Sequence, residues 1–208
     1  MEQLAELIRT ENGLEPVFLF PQFFEDNREK LGPDPDYAVL ILTRVVGSDG
    51  SLKGYITVKD STFGDEAEHK FASGRRNLKR DQSGMSDKSV HATADNELTE
   101  ESGVTAAGGP ESFKIVYGRV CRNPRNNPGW HAKFLCVVDV LEFEIKKIYN
   151  PEMNPKVSKP KGNEGEVGFF HPPGEFRDLF AWEDFFFVHR QFLKSAENIL
   201  KSLDLWPL

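Results

Sequence analysis

Apolar positions along the chain change period several times, and the changes divide it into elements. Residues 36–46 (DYAVLILTRVV), bounded by Pro35 and Gly47, form an almost unbroken apolar run that predicts a central strand buried on both faces. Ser48-Asp49-Gly50-Ser51 is turn chemistry, and residues 55–58 predict a returning strand, hence a hairpin. Residues 113–121 and 131–141 read as two further strands around the turn-rich stretch 122–130, and residues 167–170 as a last short one. Helical spacing marks three places. Leu4, Leu7 and Ile8 predict a short amphipathic helix over residues 2–9. Val90, Ala94 and Leu98 predict a second helix, capped by Ser86 or Asp87, ending at Ser102 and closed by Gly103. Phe185, Val188, Phe192, Ala196, Ile199 and Leu203 predict one long helix over residues 182–203.

The remainder is less regular. Pro21 interrupts the aromatic stretch 17–24, which reads as an edge element or a packed loop. Residues 60–88 are polar and of mixed charge, a long loop with a short strand at 69–72, and 149–166 is a second loop rich in proline, lysine and glycine. The expected class is mixed α/β with a long C-terminal helix. A single domain over 1–208 would carry 1–35 as an N-terminal extension and 60–88 as an insertion before the central helix.

Composition narrows the setting. A net charge of -7 argues against a general nucleic-acid binder, while leaving room for a small phosphorylated substrate whose pocket has its own local charge. Seventeen phenylalanines point to an aromatic core. Cys121 and Cys136 are too few for a disulfide framework and lie in no metal-binding spacing. The first residues lack the basic-then-apolar order of a signal peptide, and no run is long enough to span a membrane, so a cytoplasmic setting is the expectation.

The second helix carries the chemistry. At roughly 100° per residue, Glu97, Glu100 and Glu101 share one arc at i, i+3 and i+4. Like charges so placed repel by some tenths of a kcal/mol per pair unless something offsets them. A hard divalent cation would, and with no His or Cys in the cluster the donors favour magnesium or manganese over zinc. A solvated acidic face is the plain alternative.

Residues 96–104, NELTEESGV, resemble the second half of the Nudix signature, whose full form is G, five residues, E, seven residues, then R-E-U-x-E-E-x-G-U with U a bulky aliphatic. The match falls on Glu97, Leu98, Glu100, Glu101, Gly103 and Val104; Asn96 stands where the family has arginine, and Lys88 where an ungapped alignment puts the earlier glutamate. A second alignment, with residues 75–88 as an insertion, sets Gly74 in the place of the motif glycine. The resemblance implies an α/β/α sandwich around a mixed sheet. It also implies metal-assisted hydrolysis of a nucleoside diphosphate linked to another moiety, such as ADP-ribose, a dinucleotide or a sugar nucleotide. By that resemblance Glu97 and Glu101 are ligands, Glu100 a ligand or base, and Glu164 or Glu166 a base from a late loop. Gly74, Arg75 and Arg76 are candidates for substrate binding, the arginines as part of RRNLKR, which could otherwise meet an RNA backbone. Retention of all three helix glutamates favours an enzyme. Loss of the arginine and the earlier glutamate favours a nucleotide- or protein-binding module. A homodimer through the aromatic N-terminal segment is a further expectation.

Overall fold

A computed structural model describes residues 2–62, 67–76, 89–122, 129–163, 165–181 and 184–207. Nine strands and six α-helices follow in chain order among these residues. They are β1 (Glu2–Leu4), β2 (Glu6–Thr10), β3 (Gly13–Val17), α1 (Phe20–Asp26), α2 (Arg28–Leu31), β4 (Tyr37–Val46), β5 (Leu52–Asp60) and β6 (Ala72–Arg75). Then come α3 (Val90–Ser102), β7 (Lys114–Arg122), β8 (Trp130–Leu141), β9 (Glu166–His171), α4 (Pro173–Ala181), α5 (Phe187–Ser195) and α6 (Glu197–Ser202).

The apolar run forms β4, at the centre of a seven-stranded mixed sheet ordered β1-β7-β8-β4-β5-β9. One edge of β4 runs parallel to β8 along its whole length, from Tyr37 beside Ala132 to Val46 beside Leu141. The other edge is divided, antiparallel to β6 over residues 38–41 and to β5 over residues 43–46. With neighbours on both sides its backbone groups are paired, and aliphatic side chains can be buried on both faces.

Helices cover the two faces. On one, Phe134 gathers Phe18, Phe20, Phe23 and Phe24 from the α1 region, and Tyr37 meets Thr93 of α3. On the other, Tyr55 and Phe71 pack on Phe176, and Tyr117 packs on Phe192. The result is the expected α/β/α arrangement around a mixed sheet. Among the described residues no helix is long and apolar enough to cross a membrane.

Four elements differ from the sequence expectation. Residues 2–9 form strands instead of a helix: β1 joins the sheet edge beside β7, and β2 pairs with β3 as a separate hairpin. The stretch after Phe18 is helical, because Pro21 falls in the first turn of α1, where its missing N–H costs nothing. The short strand expected at 69–72 is displaced to β6, with isolated bridges at His69 and Lys70. The long terminal helix is broken at Ala196 into α5 and α6, and α4, unforeseen, precedes them. For the central helix, Ser86 and Asp87 lie outside the described residues; Ser89 is the cap, its Oγ accepting from Ala92 N–H at 3.1 Å. Gly103 closes α3 in the left-handed region, φ 82°, as expected.

Candidate active site

Helix α3 is anchored by Val90, Ala94 and Leu98, all buried; Leu98 alone stabilises by about 2 kcal/mol. That anchoring turns the glutamate arc toward β6 and the end of the 149–166 loop. Each glutamate then meets a different neighbour.

Glu97 lies against Gly74. A Cβ built on Gly74 would stand 1.9–2.1 Å from the Glu97 carboxylate atoms, so any side chain there would push that carboxylate from its place. Glu100 lies against Gly162 in the same way: a Cβ there would be 2.7 Å from its carboxylate, and the glycine holds φ +86° besides. Beside Gly162, Asn163 Nδ2 donates to the Glu100 and Glu166 carbonyls, each at 2.9 Å, and fastens the loop to α3.

Glu101 turns inward and is 7% exposed. Its Oε2 accepts from Ser73 N–H at 2.8 Å, and its Oε1 is 3.4 Å from Lys70 Nζ. Glu166 Oε1 is also 3.4 Å from that ammonium. Burial pushes the Glu101 carboxyl up to about 7, against the Lys70 charge and the Ser73 hydrogen bond. Burial pulls on Lys70 too, but Glu101 and Glu166 overcome it and hold the ammonium above the ordinary lysine range.

The structure therefore brings Glu97, Glu100, Glu101, Glu166 and Gly74 around one helix end. Glu164 lies outside the described residues, as do Lys79 and Arg80. Arg75 pairs with Asp36 at 4.0 Å, and strand alternation sends it to the sheet face opposite Gly74. Arg76 donates to Asp34 at 2.6 Å and lies over the Tyr37 ring, 5.6 Å from its centroid. It lines a cavity of about 560 Å³ walled by Phe20, Phe24, Tyr37, Ser89 and His91. Lys70, Asn163 and Gly162 escaped the sequence reading; Lys70 is far along the chain from both its partners, and no spacing signals it.

The oxygen-only donors and the two glycine-walled carboxylates fit a hard divalent cation in chemistry. Among the described residues, however, no three His, Cys, Asp or Glu side chains converge on one point. Glu101 and Glu166 are turned to Lys70 instead.

No family model matches the sequence, and no curated protein matches it. Solved structures resemble the fold. The NUDIX domain of Shewanella oneidensis NrtR, in complex with ADP ribose, aligns at 15% identity and TM-score 0.48, over 79% of this chain and 87% of that one. The Bacillus subtilis pyrophosphohydrolase BsRppH (E68A mutant) aligns at 14% identity and TM-score 0.48, over 99% of each chain. An ADP compounds hydrolase aligns at 15% and 0.48, over 99% of this chain and 94% of that one. At TM-scores below 0.5 such likeness lends no weight to a particular activity, ligand or metal.

Proposed function

We propose that the chain is a Nudix-type hydrolase that cleaves a pyrophosphate bond in a nucleoside diphosphate linked to another moiety, with Mg²⁺ or Mn²⁺ as cofactor. The observation that carries this is the glutamate arc of α3 with glycine held opposite two of its members, Gly74 at Glu97 and Gly162 at Glu100. A structural acidic face has no need of such clearance. Glu97 and Glu100 would hold the ion. When bound, it would neutralise pyrophosphate oxygens and make a bound water more acidic.

The chain's own residues supply the rest. Glu101, fixed by Ser73 and Lys70, sets the pitch of the helix end against β6. The aromatic cavity at Arg76 suits the nucleoside end of the substrate, being within the usual 300–1,000 Å³ range of ligand pockets. Arg76, on the cavity wall, follows Gly74 by two residues, so the cavity and the Glu97 cradle are reached from neighbouring positions of one segment. Removal of the water's proton falls to Glu100 or Glu166.

One observation favours a second reading, a nucleotide-binding module with little turnover. Lys70 already satisfies Glu101 and Glu166 without a metal. Phosphate release from a panel of nucleoside diphosphate derivatives, with Mg²⁺ or Mn²⁺, separates the two. Turnover that Glu97→Gln abolishes establishes the hydrolase, and the pH–rate profiles of Glu100→Gln and Glu166→Gln at saturating metal identify the base as the residue whose loss removes the acid limb. A ligand that raises the melting temperature but is never cleaved establishes the module.

A further inference from the structure

Glu101 and Glu166 approach one another on the α3 face of the sheet, with side chains 9% and 12% exposed. Two carboxylates so buried and so close are favoured as anions by a positive charge between them. The charge present is Lys70 Nζ, 3.4 Å from an oxygen of each. Its backbone is fixed as well: Lys70 N–H donates to Val58 carbonyl and Val58 N–H to Lys70 carbonyl, both at 2.9 Å. The side chain is thus delivered to this point by the sheet itself. His69 and Phe71 on either side face the opposite layer, among aromatic rings.

We infer that the Lys70 ammonium is a resident counter-cation that fills a divalent-ion seat between Glu101 and Glu166, so that metal binding in this chain is confined to the Glu97 and Glu100 side. The inference rests on the hydrolase reading for the identity of the ion, but its geometry does not depend on turnover. An ammonium and a divalent ion answer the same need of two carboxylates; a tethered one is never lost by dilution or chelation. The chain would work with fewer ions than a site whose carboxylates all face metal.

The test counts ions, using Mn²⁺ titrated into the full chain and the electron paramagnetic resonance signal of free aquo-Mn²⁺ as the readout. Lys70→Ala should bind one more Mn²⁺ than the native chain, or bind it at least tenfold more tightly. Lys70→Arg should match the native count, and adding Glu166→Gln to Lys70→Ala should remove the gained site. Equal number and affinity in the native chain and Lys70→Ala overturn the inference. If Lys70→Ala does not fold without metal, its melting is followed across a Mn²⁺ series: rescue supports the seat and no rescue overturns it. Turnover is measured separately. A gained Mn²⁺ site without hydrolysis in any variant would sink the hydrolase reading alone, and hydrolysis without a gained site would sink this inference alone.

Discussion

The segment from His69 to Gly74 shows its two faces to two different worlds. On one, Lys70 and Gly74 meet the glutamates of α3 and Glu166, where charge is kept and balanced. On the other, His69 and Phe71 enter a layer where groups that could be charged are held neutral. Thr57 Oγ1 lies 2.9 Å from His69 Nδ1 and 2.8 Å from His171 Nε2; it has one proton to give, so one ring accepts and the other donates. Phe71 N–H donates to His189 Nδ1 at 3.3 Å. Burial first, with the Lys59 charge, lowers His69 to about 3 and His171 to about 4; burial with the Lys133 and Lys70 charges lowers His189 to about 3. Alternation along one short extended segment is enough to separate an ionic layer from a neutral one.

Acid should act most strongly, and on the neutral layer. The three imidazoles are neutral in the folded chain and protonate in the unfolded chain near their ordinary 6.5. The unfolded state therefore binds more protons below that pH, and stability falls steadily from about pH 6.5 toward 4. Glu101 has the opposite sign: raised from its ordinary 4.5, its contribution is complete below that value and drains away as pH rises through about 7. Urea midpoints measured from pH 4 to 8 should show the acid loss, and Glu101→Gln should flatten the neutral limb. A flat acid limb in the native chain would contradict the neutral layer.

Phe71→Ala comes next. Its ring is fully buried among Phe176, Phe180, Phe185 and His189, and the cavity left should cost about 3–5 kcal/mol by chemical denaturation. On the ionic face, Gly74→Ala must displace the Glu97 carboxylate, and metal-dependent turnover should drop about a hundredfold with the fold intact by circular dichroism. The smallest effect belongs to Asn163→Ala, which unfastens the loop from α3. It should lower stability by about 1–2 kcal/mol and speed amide exchange at Gly165, whose N–H donates to Asn163 Oδ1.

The ionic layer was half legible in the sequence. Glu97, Glu100 and Glu101 are local, fixed by helical period alone, and Gly103 follows from the left-handed turn after them. Gly74 was legible only through alignment with an insertion, and its reason, clearance for Glu97, needed the fold. Lys70 and Asn163 act across the sheet or between loop and helix, so nothing in their neighbourhoods marks them. The terminal regions misled for a related reason. Leu4, Leu7 and Ile8 satisfy a helical count, but three points cannot exclude a strand: Leu4 is drawn to β7, more than a hundred residues away, while Leu7 and Ile8 pair with β3 in a local hairpin. Pro21 reads as a strand breaker, yet the same residue is favoured in the first turn of a helix.

The seam between β4 and β8 joins strands about 95 residues apart in the chain, an arrangement of high contact order whose closure entropy is met before any of its contacts can form. A nascent chain leaving the ribosome would present the apolar segment 37–46 well before its parallel partner was made. For that interval β5 and the short β6 pair its other edge, and the edge meant for β8 stays open. The carboxylate helix is thus made before the parallel pair that closes the centre of the sheet, and its seat is completed only when β8 arrives.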